Sequence, residues 1–139
     1  MLPRMSSFFK KLFGRAPASP DGLAQPQREA MVDLLFYCMF ADNSLPVKED
    51  KILADTVDQF AWDPQVSYDS YAARSIARAR AVKETPSTRA DFLADAAARL
   101  ATPAVKARTL ALCRQIFQAD GDFSGREQEL FREIQQALT

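Results

Sequence analysis

Apolar residues recur along most of the chain at the three- and four-residue spacing that places them on one face of a helix. From Pro26 to about Ala41 they cover more than one face, which indicates a central helix enclosed by others. Further helices are predicted from Pro46 to about Phe60, from Asp63-Pro64 to Thr85-Pro86, through Phe92–Leu100, from 103 to about 119, and from about 124 to 138. Because no stretch favours a strand, the sequence predicts an all-α fold.

A separate short helix is predicted near the start of the chain, ahead of a proline-containing linker at residues 14–26. Its apolar side is formed by Phe8, Phe9, Leu12 and Phe13. The chain is therefore divided into an amphipathic amino-terminal segment with its flexible linker, residues 1–26, and a helical domain, residues 27–139.

Residues 5–15 leave three interpretations open. The apolar side and flanking basic residues suit peripheral contact with an anionic membrane surface, at the inner face of the membrane. The same side could dock on its own domain or on a partner helix. A free helix of this length is also marginal in water, so the segment could lack a fixed structure.

Two stretches of the domain, residues 41–53 and 119–131, align without gaps as an internal repeat. Each follows a strongly apolar helix and precedes an amphipathic one, so each unit is a helical hairpin with an acidic turn. The paired positions are Asp42 with Asp120, Leu45 with Phe123, Lys48 with Arg126, and Glu49 with Glu127.

The acidic turns have two competing explanations. In the first, Asn43 and Gly121 allow the chain to reverse, and Glu127 reaches back to the amide of Ser124 as a capping box. In the second, the carboxylates surround a hard divalent cation, Ca²⁺ or Mg²⁺, because paired acidic groups are costly without a counter-ion. The candidate metal ligands are Asp42, Glu49, Asp120, Asp122 and Glu127.

The second turn does not complete an EF-hand loop. With Asp120 in the first position, the twelfth position falls on Phe131 in place of a glutamate. With Glu127 in the twelfth position, the first falls on Ile116. A cation would therefore need a different site, formed between the two turns.

Charge and composition exclude several functions. Lysine plus arginine and aspartate plus glutamate both number 18, which argues against a dedicated nucleic-acid binder. The basic stretch of Arg74, Arg78, Arg80 and Arg89 is interpreted as a solvated helix face. The chain has no histidine, so histidine-dependent catalysis and histidine-ligated metals are excluded, and we expect a protein that is not an enzyme.

Two further expectations come from the remaining side chains. Cys38 and Cys113 lie among apolar residues and predict buried packing in a reducing, cytoplasmic environment. Trp62 and the pair Tyr68 and Tyr71 lie near a predicted turn and are expected to pack in the core or at its rim.

The two turns resemble the signature of the TerB-like (tellurite resistance) family, which also includes the amino-terminal domain of the DjlA co-chaperones. That signature is Asp-Gly followed by Glu, after each of two long helices. Asp120-Gly121 with Glu127 fits it, and Asp42-Asn43 with Glu49 fits with Asn in place of Gly.

The resemblance implies a TerB-like bundle of about six core helices with two related hairpins. It further implies a protein-binding, metal-binding or scaffolding component of a tellurite or stress-response system. The alternative is a metal-independent, co-chaperone-like interaction module whose acidic turns serve folding alone.

Overall fold

The computed structural model describes residues 21–40, 47–119 and 125–139, with no side-chain description for residues 47–50. Within these ranges the chain forms helices and no strands, which confirms the all-α prediction. The helices are α1 (Gln25–Met39), α2 (Val47–Asp58), α3 (Tyr68–Val82), α4 (Pro86–Leu100), α5 (Pro103–Gln118) and α6 (Gly125–Leu138).

Helix α1 is the centre of the bundle. Every residue from Ala30 to Phe40 is buried, and α1 packs against α2, α3, α4 and α5. Helix α6 closes the structure by packing on α4 and α5. The apolar residues that cover more than one face of α1 are explained by this position, since a helix enclosed by neighbours has no solvent face.

Prolines lie at three of the described helix starts, as predicted for Pro26 and Pro103, whereas the sequence predicts Thr85-Pro86 only as the end of the preceding helix. Pro26, Pro86 and Pro103 each lie in the first turn of a helix. The Thr102 hydroxyl accepts a hydrogen bond from the Val105 amide at 3.2 Å and caps α5.

The predicted helix start at Asp63-Pro64 is wrong. Asp63 forms a turn instead, because its side chain accepts from the Gln65 amide at 2.9 Å and its carbonyl accepts from the Val66 amide at 2.9 Å. Helix α3 begins at Tyr68, where the Ser67 hydroxyl accepts from the Ser70 amide.

Packing against the bundle starts several residues before the expected domain boundary at residue 26. Leu23 belongs to the hydrophobic core. Asp21 forms a buried ion pair with Arg28 at 2.7 Å and accepts a hydrogen bond from the Ala61 amide at 2.8 Å. These contacts fix the entry to α1 against the loop that follows α2.

A buried carboxylate in the middle of α1, that of Asp33, joins three helices. It is fully buried and accepts hydrogen bonds from Tyr71 Oη at 2.9 Å and Ser75 Oγ at 2.6 Å, both on α3. Arg78 of α3 donates to it at 2.6 Å, and Arg99 of α4 donates at 2.7 Å. Sequence reasoning did not single out Asp33, although a lone acid within the apolar run of α1 was a signal.

The cluster around Asp33 changes the ionisation of Tyr71. Burial of the phenol, together with the neighbouring negative charge of Asp33, raises the pKa of Tyr71 to about 12. Tyr71 therefore remains a hydrogen-bond donor to Asp33 throughout the physiological range.

The aromatic residues after α2 pack at the rim of the core, as predicted. Trp62 meets Tyr68 edge-on, with ring centroids 5.2 Å apart, and also contacts Tyr71 at 5.7 Å. All three are partly buried against the core.

The interpretation of the basic stretch as a solvated face is only partly right. Arg74 and Arg80 are exposed, with guanidinium groups over the rings of Tyr71 and Phe40. Arg78 pairs with Asp33, whereas Arg89 is buried and pairs with Glu133. Pairing with a carboxylate explains why Arg78 and Arg89 depart from the prediction, because a charge seldom leaves water unpaired.

Two further sequence expectations concern the cysteines and membrane spans. Cys38 and Cys113 are buried free thiols, as predicted. None of the helices in the described part of the chain has the length and apolarity needed to cross a bilayer.

We expect the Asp33→Ala substitution to lower the free energy of unfolding by about 3–5 kcal/mol, because it leaves two arginines without their shared carboxylate. The matched control is Asp95→Ala, since Asp95 also pairs with Arg99 but has a side chain 62% exposed. That control should cost less than about 1 kcal/mol. Urea denaturation measures both, and equal losses would contradict the role assigned to Asp33.

Candidate site at the two acidic turns

Most of the predicted metal ligands lie where the structure gives no side-chain position. Asp42, Asp120 and Asp122 lie outside the described residues, and Glu49 lies in the first turn of α2 without a described side chain. Glu127 is the predicted ligand whose environment is described.

Glu127 lies in the first turn of α6 and is only 3% exposed. Helix α6 begins at Gly125, directly after Ser124, so Glu127 stands at the position that the capping-box pattern requires. A carboxylate at this end of a helix is stabilised by the positive end of the helix dipole. The predicted contact with Ser124 itself lies outside the described residues.

A buried lysine, Lys83, lies against the end of α1. It is the C-cap of α3 and is 3% exposed. Its ammonium group donates to the carbonyl of Phe40 at 2.6 Å. Phe40 ends α1 and lies two residues before Asp42, so this cation stands at the entrance to the first acidic turn.

The backbone of Lys83 also contacts the second hairpin. Its carbonyl accepts a hydrogen bond from Arg126 at 3.1 Å and another from Arg89 at 3.1 Å. Arg126 lies beside Glu127 and two residues after Ser124, at the exit of the second turn. Lys83 therefore joins the end of α1 to the start of α6, which lie at the same end of the bundle.

Other cations surround this position. Arg89 forms a bidentate ion pair with Glu133, with nitrogen-to-oxygen distances of 2.9 and 3.0 Å. Hydrogen bonding to Glu133 raises the pKa of Arg89, so this charge is permanent. Arg80 lies over the ring of Phe40, with its guanidinium carbon 4.6 Å from the ring centre.

This arrangement supplies positive charge at the end of α1 and the start of α6, the described residues that flank the acidic turns in the sequence. A buried ammonium is costly unless it is paired or well hydrogen-bonded, and buried carboxylates have the same requirement. Lys83 can therefore offset negative charge that would otherwise call for a bound cation.

Sequence reasoning missed Lys83. It precedes Glu84 and Thr85 at the end of an arginine-rich helix, a setting typical of a surface lysine. No periodicity or motif distinguishes Lys83 from a surface lysine, because its burial depends on contacts with distant residues such as Phe40 and Arg126.

Among the side chains that the structure describes, no group of three or more carboxylates or thiols is placed to hold a metal ion. Comparison of the chain with protein-family models, curated proteins and solved structures gives no match.

We expect Lys83→Met to lower the free energy of unfolding by about 1.5–3 kcal/mol, since it removes a charged donor from a buried carbonyl. Lys51→Met is the matched control, because the Lys51 side chain is 75% exposed and pairs only with Asp55 in the described structure. Its effect should stay below about 1 kcal/mol. Chemical denaturation of the two variants gives both values, and a small loss for Lys83→Met would show that its ammonium group matters little.

Proposed function

We propose that the protein is a non-enzymatic, TerB-like protein-interaction module whose acidic turns are neutralised by its own lysine. In this proposal Lys83 neutralises the carboxylates of the turns, as a divalent cation bound between them would. The turns then serve to hold two hairpins together and to present a fixed helical surface to a protein partner.

One observation carries the proposal, the buried position of the Lys83 ammonium beside the carbonyl of Phe40. Phe40 lies two residues before Asp42 in the sequence, and in our proposal the ammonium held at Phe40 attracts that carboxylate and repels a divalent cation. The hydrogen bonds from Arg89 and Arg126 to the Lys83 carbonyl also support the metal-independent proposal, because they bring further positive charge to this end of the bundle.

The competing function is a metal-binding or scaffolding component that holds Ca²⁺ or Mg²⁺ through Asp42, Glu49, Asp120, Asp122 and Glu127. It rests on the residue types of the turns and on the resemblance to the TerB-like family. Both the interaction module and the metal-binding component would act in tellurite or other stress responses. This link rests on the resemblance to the TerB-like family.

Thermal melts of chelator-treated protein separate the two functions. A ligand that binds only the folded state raises the melting temperature as its concentration increases. We expect millimolar Ca²⁺ or Mg²⁺ to leave the melting temperature of the parent protein unchanged. We expect the same ions to raise that of Lys83→Met, whose turn carboxylates have lost their internal counter-ion.

The controls are Lys51→Met, which should respond like the parent protein, and the variants Asp120→Asn and Glu127→Gln. If the ions raise the melting temperature of the parent protein and either of these two substitutions abolishes the rise, the turns bind metal. That result would overturn the metal-independent proposal.

A further inference from the structure

We propose that the amino-terminal segment of this chain, residues 6–14, docks as a helix into the groove between α4 and α6. The segment lies outside the described residues, and the groove is open in the described part of the molecule. This inference does not depend on the role given to Lys83.

The groove has a volume of about 430 Å³ and a mostly apolar lining. Leu93, at its floor, is 3% exposed, whereas Ala90 and Ala94 on α4 are exposed and Ala137 on α6 is partly exposed. Alanines on both walls leave space for a third helix to approach closely. Helices in contact lie about 8–10 Å apart, and small side chains favour the lower end.

The sequence of the segment fits an apolar groove. Phe8, Phe9, Leu12 and Phe13 gather on one side of a helix. Lys10 and Lys11 fall on the opposite side. Because a free helix of this length is marginal in water, it needs a surface against which to form.

Charge also favours docking on this domain. The first 20 residues carry four basic residues and no acidic one, so residues 21–139 hold 14 basic against 18 acidic residues, a formal charge of −4. Exposed carboxylates lie beside the groove, at Asp91 next to Ala90 and at Glu129 one turn before Glu133. They stand where the lysines of a docked helix could reach them.

The connecting chain is long enough. The described structure begins at Asp21, which is held to Arg28 at the start of α1, and Gln27 of α1 donates to the Leu100 carbonyl at the end of α4. From Leu100 back to Ala94, α4 covers about 9 Å. The six connecting residues, 15–20, allow Gly14 to lie up to about 25 Å from Asp21 when extended, which reaches the groove.

Paramagnetic broadening in NMR spectra tests the docking directly. A nitroxide attached to a Ser7→Cys variant of the full chain reports on nearby amides, and the native thiols, Cys38 and Cys113, are buried and protected from labelling. We expect loss of peak intensity at Ala90, Ala94 and Ala137, and none at residues of α2.

Two variants with a matched control make this result specific. Ala94→Arg fills the groove at an exposed position, and Leu12→Asp breaks the apolar side of the segment, so each should restore the intensities. Ala111→Arg makes the same change at an exposed position on α5 and should leave the broadening intact. Circular dichroism confirms that each variant is folded.

Three results would overturn the proposal. The first is broadening that is absent or lies away from the groove. The second is broadening that appears when labelled chains are mixed with separate isotope-enriched chains, which would show docking on a second copy. The third is a segment that leaves the groove free and binds only anionic lipid vesicles, which would establish the membrane interpretation.

Discussion

The fold depends on the burial of α1 from Ala30 onward, because a charged group in a helix enclosed by its neighbours must find its partners on them. The carboxylate of Asp33 imposes the strongest requirement. Four donors from α3 and α4 meet it, and they fix both helices against α1 at one level of the bundle. Apolar packing alone would allow these helices to slide, whereas a buried charge with four partners specifies one arrangement.

The same constraint acts at the carboxyl end of α1. Its final carbonyls need donors, and the ammonium of Lys83 provides one for Phe40. Lys83 ends α3 and its own carbonyl is held by Arg89 and Arg126, so one residue connects three parts of the fold. In our account the acidic turns belong to this network of charges, and their carboxylates balance cations that the fold itself has buried.

This view explains why the two turns share residue types although the second is richer in carboxylates. In this account an acidic residue stabilises a helix start, as Glu127 does, and the other turn carboxylates offset lysine and arginine. In our proposal the resemblance to the TerB-like family is therefore reconciled with turns that bind no metal.

The sequence predicted the helices well where local chemistry decides them. Pro26 and Pro103 lie at helix starts because a proline in the first turn loses no hydrogen bond. Asp63-Pro64 carried the same signal, but the Asp63 side chain bonded its own turn and delayed α3 to Tyr68. Asp33 and Lys83 escaped prediction because their roles arise from residues more than 35 positions away, as in the pairs Asp33–Tyr71 and Phe40–Lys83.

A double-mutant cycle between Lys83→Met and Asp42→Asn tests the central claim most directly, through the free energies of unfolding of the parent, the two single variants and the double variant. If the lysine neutralises the turn, the losses are not additive, and the coupling energy is at least about 1 kcal/mol. Additive losses, within about 0.5 kcal/mol, would contradict the account.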